Sequence, residues 1–273
     1  MSVQNVARLK IGVLIMISLY YTDEFVTLYY GKQEDIIPEL ADKSIDLVLT
    51  DPPYQFSGTG GGFFGGWSEN YDSKHKPRVY MNELQDANCL NFSPIPFLTS
   101  LKRLLKKFYG YFFCNKELVD IYIQYAKNNK LMFDILVMAK NNPLPACNSH
   151  HLRDLEYIIM LRANRTKYYH SSDFNDNRKF YLVNTGGVSY HPAEKPIGLL
   201  MRMINVSSQR GETILDPFVG SGSTAIAAKL LGRKCIGIES SEKYAYIAAQ
   251  RLSQLILPVD DIIPIELKQL ELV

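Results

Sequence analysis

The sequence predicts an α/β fold with a mostly parallel sheet, and three observations lead to this prediction. Short apolar runs rich in β-branched and aromatic residues alternate along the chain with patterns of helical period. Two loops, at residues 50–54 and 216–224, each directly follow one of those apolar runs. The chain has 273 residues, 47% of them apolar, which is enough for a sizeable core in one large domain or two small ones.

The apolar runs predict seven strands, at residues 26–30, 45–50, 110–114, 135–139, 157–162, 212–215 and 234–238. Six helices are predicted between and after them, at residues 34–41, 97–107, 116–129, 196–206, 223–231 and 242–255. Two stretches interrupt this alternation. Residues 57–93 are rich in Gly, Asn, Asp and Ser, and residues 141–190 are polar and weakly periodic. A loop as long as the first is usually functional or disordered.

The first 20 residues form an N-terminal extension for which several interpretations are open. Arg8 and Lys10 precede an apolar run at residues 11–21, as in a secretory signal, but no clean small-residue cleavage site follows. The run is too short to span a bilayer, which takes ~20 residues. Alternatively Met16 is the natural start, or the run adds a strand or helix to the core. Because no other segment suits a membrane, we expect a cytoplasmic protein without membrane association.

Charge and cysteine content exclude some classes of site. The formal net charge is only +2, so a nucleic-acid surface would have to come from local clustering of basic residues. The four cysteines are far apart, with no CxxC pair and no histidine at ligand spacing. We therefore expect free thiols in a reducing cytosol, and neither a metal site nor a disulfide framework.

The first loop, Asp51-Pro52-Pro53-Tyr54, follows a buried strand at the end where open α/β sheets bind ligands. The two prolines fix φ and remove two backbone donors, so the loop is rigid. Asp51 and the Pro52 carbonyl offer two acceptors, which suit the two N–H groups of an exocyclic base amine and would free its lone pair for attack on a sulfonium methyl. Tyr54 offers a stacking face worth ~1–3 kcal/mol to a base turned out of a duplex. For the tetrapeptide alone, a simple turn is the alternative.

The second loop, residues 216–224, runs from a strand into a helix and contains Gly220 and Gly222. Glycines let a ligand approach the backbone, and the helix start presents free N–H groups to a carboxylate or phosphate. Glu239 ends the next strand, where an acid can bind ribose hydroxyls. The loop lacks the lysine of an NTPase loop and the spacing of a dinucleotide fingerprint, so an adenosine cofactor without pyrophosphate fits better than either. A structural glycine turn is the alternative.

From about residue 26 to 255, the chain resembles the amino-directed (N6-adenine or N4-cytosine) DNA methyltransferases. Four motifs carry the resemblance: Asp51-Pro-Pro-Tyr54, His191-Pro-Ala-Glu-Lys-Pro196, Asp216-Pro-Phe-Val-Gly-Ser-Gly222 and Cys235-Ile-Gly-Ile-Glu239. The catalytic loop precedes the cofactor loop, which is the permuted order of the β group. No Pro-Cys dipeptide stands at the first loop, which argues against C5-cytosine chemistry.

The resemblance implies a Rossmann-like fold with a seven-stranded, mostly parallel sheet, one antiparallel strand and helices on both faces. It implies S-adenosylmethionine as cofactor and a target base held by Asp51, Pro52, Pro53 and Tyr54. The residues expected to bind the cofactor are Lys32, Asp35, Asp51, His191, Lys195, Pro196, Asp216, Pro217, Phe218, Gly220, Ser221, Gly222, Ser223, Thr224, Glu239 and Ser240. Among them, His191, Lys195 and Pro196 match a segment that closes over the methionine moiety.

The chain departs from the family pattern at Gly31-Lys32, where the family often has Gly-Asp. Either the Lys32 backbone or the Asp35 side chain would then contact the cofactor's adenine ring. Asp as the first residue of the catalytic loop favours adenine N6 as the target; N4-cytosine methylation and, from another class, a non-catalytic SAM- or DNA-binding module are the alternatives.

The resemblance also assigns parts to the chain: residues 21–140 are catalytic and include the flexible loop 57–93, residues 141–190 recognise the target within the same domain, residues 191–257 bind the cofactor, and residues 258–273 are a tail. Basic and aromatic residues in the middle segment suit phosphate contacts and base stacking, although a solvated face is the plainer interpretation. The expected DNA-binding residues are Arg153, Arg162, Arg165, Lys167, Arg178 and Lys179. Expected partners are double-stranded DNA, a second copy of the chain and a cognate restriction endonuclease.

Overall fold

The computed structural model describes residues 4–10, 13–53, 92–143, 151–152, 154–184 and 194–255, with side chains from Ser18 onward. These residues form one sheet of ten strands. The strands are β1 (Gln4–Lys10), β2 (Val13–Thr22), β3 (Val26–Tyr30), β4 (Leu47–Thr50), β5 (Tyr109–Cys114), β6 (Met132–Lys140), β7 (Leu155–Arg162), β8 (Phe180–Val183), β9 (Thr213–Asp216) and β10 (Lys234–Glu239). Their order across the sheet is β1-β2-β3-β10-β9-β4-β5-β7-β6-β8.

All seven predicted strands form, and they are neighbours in the middle of the sheet, from β3 to β6. β3, β10, β9, β4 and β5 are parallel, whereas β7 is antiparallel to both β5 and β6. The prediction of a mostly parallel α/β sheet is therefore confirmed for this part. It places the carboxyl ends of β3, β10, β9, β4 and β5 at one edge, where ligand crevices form in such sheets.

The predicted number of seven strands is wrong for the whole sheet, because three more strands extend it at its two sides. β2 pairs antiparallel with β3, and β1 pairs antiparallel with β2, so the N-terminal extension continues the sheet. At the other side β8 pairs in parallel with β6. An uncovered edge strand leaves a row of backbone N–H and C=O groups unpaired, and each added strand satisfies part of that row. Among the interpretations of residues 1–20, the structure agrees with the one in which the apolar run adds a strand to the core, here β2.

The six described α-helices match the six predicted ones. They are α1 (Gln33–Ile36), α2 (Pro94–Leu104), α3 (Val119–Asn128), α4 (Ile197–Ser207), α5 (Ser223–Leu230) and α6 (Glu242–Gln254), with short 3₁₀ turns at Ile37–Glu39 and Phe174–Asn177. α1 is shorter than predicted because Pro38 stands in the following turn, and a proline donates no hydrogen bond to a preceding helical turn. No described helix has both the length and the apolar character needed to cross a bilayer.

The core lies on both faces of the sheet, and β5 shows why. All six residues of β5 are buried, as expected for a central strand covered on both sides. Tyr109, Tyr111 and Phe113 face a cluster that includes α4, α5 and α6. Phe112 and Cys114 face the other cluster, which includes α2 and α3. This alternation follows from the two-residue period of a strand. Because the described helices cover both faces of β5, a ligand would have to approach this strand at its end.

Candidate active site

The two loops predicted to carry chemistry lie side by side at the carboxyl edge of the sheet. β4 and β9 are parallel neighbours, with Val48 opposite Leu215, so Asp51 and Asp216 end adjacent strands. The Thr50 hydroxyl donates a hydrogen bond to Asp216 Oδ1 at 2.6 Å in a buried position. This bond joins the strand that carries the first loop to the strand that carries the second.

Asp216 stabilises the glycine loop through hydrogen bonds in the protein interior. Its side chain is buried and accepts hydrogen bonds from the hydroxyls of Thr50 and Thr224 and, at 3.2 Å, from the backbone N–H of Phe218. Burial raises the pKa of the Asp216 carboxyl to about 6, although the hydrogen bonds oppose the shift. Pro217 and Thr224 are buried with it. These three residues shape the loop from below.

Gly222 begins α5 in a conformation that few other residues adopt. Its φ is 91°, and a Cβ built on it would lie 3.1 Å from the Cβ of Ala248 on α6. Gly220, with φ of 52°, makes the preceding turn. The glycines therefore serve two purposes, since they turn the chain into the helix and let α6 pack against the turn. The first N–H groups of α5, from Ser223 onward, lie where the loop meets the sheet edge.

Glu239 connects the glycine loop to the end of β10. Its carboxylate accepts hydrogen bonds from the backbone N–H groups of Gly220 at 2.9 Å and Ser241 at 2.7 Å, and another from Ser240. Burial raises the pKa of this carboxyl to about 7, and the backbone donors oppose the shift. Ser240 itself is exposed. The arrangement is a buried acceptor held rigidly at the sheet edge.

The end of β3 lies next to Glu239, because the N–H of Gly31 donates to the Glu239 carbonyl at 2.9 Å. Lys32 follows as the residue before α1, and its carbonyl accepts from the Asp35 N–H at 3.1 Å. The side chains of Lys32 and Asp35 are both exposed. The structure thus brings the Lys32 backbone to the edge that holds Glu239.

Phe218 is part of an aromatic group that sequence reasoning found only in part. It is half-buried and packs edge-to-face against Phe92 and Phe97, with centroid distances of 5.5 and 5.6 Å. Phe97 continues the group to Phe112 on β5, at 6.2 Å. Phe92 lies at the end of a Gly- and Asn-rich stretch, so no periodic pattern pointed to it. The group forms an apolar wall beside the glycine loop.

Lys195 contacts Asp51. Its Nζ lies 2.5 Å from Asp51 Oδ2 and 3.1 Å from Glu156 Oε2, and the side chain is only 8% exposed. Burial alone would lower the pKa of this lysine, but the charges of Asp51 and Glu156 outweigh it and raise the pKa above its ordinary value. Glu156 in turn binds Lys140 at 2.7 Å. Sequence reasoning singled out neither Glu156 nor Lys140 for the site, because they stand on strands without a motif.

A second ion pair fixes the segment around Lys195. Arg251 on α6 lies 2.7 Å from Glu194 and donates to the Ser221 carbonyl at 2.8 Å. The Ser223 hydroxyl also donates to Glu194, at 3.2 Å. Pro196 immediately precedes α4. Arg251 was missed because it stands in the middle of an ordinary amphipathic helix pattern.

The other expected members of the catalytic loop are described in part. Pro52 is buried and Pro53 is half-buried beside Asp51. Tyr54 and His191, and Arg153 of the expected DNA-binding residues, lie outside the described residues. No group of three or more His, Cys, Asp or Glu side chains suited to a metal occurs in the described ranges. Cys114 and Cys235 are buried free thiols.

The remaining basic residues expected to bind DNA do not gather around Asp51. Arg162 ends the antiparallel strand β7, opposite Tyr109 at the start of β5, so it lies at the other edge of the sheet. Arg165 and Lys167 follow it there, and the Lys167 ammonium lies 4.7 Å from the Tyr169 ring. Lys179 pairs with Asp134 on β6, and Arg178 is exposed. Their contact with DNA stays a prediction, now for a surface remote from Asp51.

A family model, two relatives by sequence and one solved structure are similar to this chain, and the family model and both relatives carry methylase or methyltransferase in their names. A family model described as DNA methylase, for N6 and N4 enzymes, matches residues 45–250. The Type II methyltransferase M2.LlaDCHI of Lactococcus lactis subsp. cremoris is 30% identical over 90% of this chain and 96% of its own length. The DNA adenine methyltransferase YhdJ of Escherichia coli (strain K12) is 27% identical over 85% of this chain and 84% of its own. The solved M1.HpyAVI–SAM complex is similar in fold, with a TM-score of 0.60 at 21% identity, covering 83% and 99% of the two chains.

Proposed function

The chain belongs to the family of DNA methylases that act on N6 of adenine or N4 of cytosine, and from this we propose that it transfers a methyl group from S-adenosylmethionine to N6 of adenine in double-stranded DNA. One observation carries the proposal. Asp51 and the glycine loop are held side by side at the carboxyl edge of the sheet by the Thr50–Asp216 hydrogen bond. A base amine bound at Asp51 would therefore lie next to a cofactor bound at the loop.

The residues at the edge fit S-adenosylmethionine, which when bound supplies a methyl group on a positively charged sulfur. The first N–H groups of α5 are suited to a carboxylate. The Glu239 carboxylate, fixed by three backbone donors, is suited to the ribose hydroxyls. Phe218 and Phe92 offer apolar faces to an adenine ring. The chemical match of these groups supports the cofactor, and the solved neighbour that contains it has the same fold.

Asp51 and Pro52 would orient the target base. The carboxylate and the Pro52 carbonyl each accept one hydrogen of the exocyclic amine, which localises the lone pair on nitrogen. That pair would form the new nitrogen–carbon bond as the bond from the methyl carbon to the cofactor's sulfur breaks with its electrons left on sulfur. The methylated nitrogen would then pass its surplus proton to the Asp51 carboxylate or to water. Catalysis is by orientation, without a covalent enzyme intermediate, and Tyr54 is expected to stack on the base once it has left the duplex.

Adenine is favoured over cytosine by two indications. The catalytic loop begins with Asp, which within the family resemblance is more often seen with N6-adenine enzymes. The relative from Escherichia coli is named a DNA adenine methyltransferase. N4-cytosine methylation is the alternative chemistry, and a non-catalytic SAM- or DNA-binding module is the alternative class.

Mass analysis of nucleosides from DNA methylated by the pure protein tests the proposal. We expect N6-methyladenine from the wild type and none from Asp51→Ala. N4-methylcytosine alone would contradict the choice of base. If wild type and variant both bind cofactor and neither methylates any DNA, the binding-module alternative is correct.

Two partners and the division of the chain follow from the same premise as further proposals. The relative from Lactococcus lactis, which is named a Type II methyltransferase, supports a cognate restriction endonuclease and a role in restriction-modification. A homodimer is proposed from the β-group resemblance. We propose that residues 141–190, together with the loop at 57–93, select the DNA sequence.

A further inference from the structure

Four charged side chains of alternating sign lie in a row at the carboxyl edge, from Asp51 through Lys195 and Glu156 to Lys140. The distances between the charged atoms are 2.5, 3.1 and 2.7 Å in that order. The residues come from the end of β4, the segment before α4, β7 and the end of β6. We refer to these four residues as the charge row. Its formal charges cancel.

Lys195 is the least exposed member of the charge row and crosses the sheet edge over β5. Its Nζ lies 5.2 Å from the centroid of the Phe113 ring, which covers the lysine from below. A lysine buried to this extent is stable as a cation only with close carboxylates, since an unpaired buried charge is strongly unfavourable. Two carboxylates flank it here, and only Asp51 belongs to the catalytic loop. Glu156 therefore gives the Lys195 ammonium a second carboxylate partner besides Asp51.

We propose that Lys195 is a positioning residue for methyl transfer: it holds the Asp51 carboxylate ionised and correctly oriented for the base amine, and Glu156 and Lys140 hold Lys195 in place. The proposal rests on the proposed function. It differs from the role that the motif alone suggested, in which the Lys195 segment closes over the methionine moiety. Ionisation matters because a carboxylate accepts hydrogen bonds at both oxygens, whereas a protonated carboxyl donates from one of them.

The charged and titratable groups around Asp51 determine how the pKa of its carboxyl would respond to a substitution. The charged or titratable neighbours are Lys195, Glu156, Lys140, Asp216, Cys114 and Tyr122. Burial raises the pKa of Cys114 to about 12 and raises that of Tyr122 as well, so neither thiol nor phenol ionises near neutrality. Among these neighbours, Lys195 and Lys140 are the cations, and the Lys195 ammonium lies 2.5 Å from the Asp51 carboxylate.

The chain contains a closely matched control for Lys195. Lys229 on α5 is 9% exposed and lies 2.5 Å from Asp23 Oδ2, almost the same burial and distance as the Lys195–Asp51 pair. This pair is not at the carboxyl edge, because Asp23 precedes β3 and Lys229 lies near the end of α5. Lys195→Met and Lys229→Met each remove one buried ammonium, but only the first removes it from Asp51.

The experiment compares wild type, K195M, K195R, E156Q and K229M in full-length form. Single-turnover methylation of DNA is measured at saturating cofactor from about pH 6 to pH 8, and cofactor affinity is measured by calorimetry. We expect K195M to be slower than wild type by at least about tenfold near pH 6 and to recover part of the rate near pH 8, as the carboxyl ionises. K195R should restore most of the lost rate, and E156Q should lie between K195M and wild type. K229M should keep the wild-type pH profile.

A second measurement does not depend on activity. In protein labelled with carbon-13 at aspartate carboxyls, the Asp51 signal is assigned by its loss in D51N and followed through a pH titration. We expect the signal to titrate at higher pH in K195M than in wild type and to be unmoved in K229M. An unchanged titration, or a K195M variant that loses only cofactor affinity, would overturn the proposal. If wild type methylates no base, the proposed function fails, while the titration still decides whether Lys195 sets the ionisation of Asp51.

Discussion

Replacing Gly222 with alanine is expected to destabilise the protein by about 2–5 kcal/mol. Two costs add. An alanine at φ of 91° is in the left-handed region, which costs about 1–2 kcal/mol for an L-residue. Its Cβ would also lie 3.1 Å from the Cβ and 3.3 Å from the Cα of Ala248, and such overpacking typically costs about 1–3 kcal/mol.

Two other glycines separate these costs. Gly211 has φ of 80° but nothing within 4 Å of an added Cβ, so Gly211→Ala should show the backbone cost alone. Gly198, in α4, has neither a positive φ nor a neighbour within 4 Å, and Gly198→Ala should be neutral or stabilising by up to about 1 kcal/mol. Urea unfolding of the three variants gives the free energies. If Gly222→Ala loses no more than Gly211→Ala, the packing against α6 contributes nothing and the reasoning is refuted.

Three further predictions concern the site. Thr50→Val should lose about 1–3 kcal/mol of unfolding free energy, because it leaves the buried Asp216 carboxylate short of a donor; urea unfolding measures it, and no loss would mean that the bond is not needed. Phe218→Ala should weaken cofactor binding about 10- to 100-fold, because it removes an apolar face from the site. Calorimetry measures the affinity, and an affinity equal to that of the wild type would mean that the adenine ring does not bind at Phe218. Burial raises the pKa of the Glu239 carboxyl to about 7 in the folded protein, against an ordinary value of 4.5. Because the folded state then binds the proton more tightly than the unfolded state, the free energy of unfolding should fall as pH rises from about 4.5 to 7. This group should contribute at most about 3 kcal/mol to that fall. Glu239→Gln should flatten that part of the pH dependence, and an unaltered slope would show that Glu239 does not titrate there.

The central part of the sheet could be predicted from the sequence because its two signals, short apolar runs and the loops that directly follow them, are both local features of the chain. β5 is a six-residue apolar run with both faces buried, and such runs are recognisable without tertiary knowledge. β8 escaped prediction because it has only four residues and lies in a polar stretch, so its pairing with β6 decides its structure. The end of α1 was also wrongly predicted. The apolar pattern continues to residue 41, but Pro38 ends the α-helix earlier.

For the site, the sequence predicted the residues in motifs and missed those brought in by the fold. Asp51, Asp216 and Glu239 each end a strand, so their meeting at one edge followed from the parallel sheet. Glu156 reaches the same edge only because β7 runs antiparallel, which places the start of that strand beside the ends of the others. The reversal also carries Arg162 to the far edge, which no spacing in the sequence revealed.

The hydrogen bond between Thr50 and Asp216 spans 166 positions of the chain. During synthesis the catalytic loop therefore leaves the ribosome long before its partner strand exists. Closing so long a loop is entropically costly, and contacts of this separation form late in folding. β4 can pair with β5 early, but its other side stays open until β9 has been made. A nascent or truncated chain lacking residues beyond 212 would carry the catalytic tetrapeptide without a methyl-donor site beside it, so we expect methylation to begin only when the chain is nearly complete.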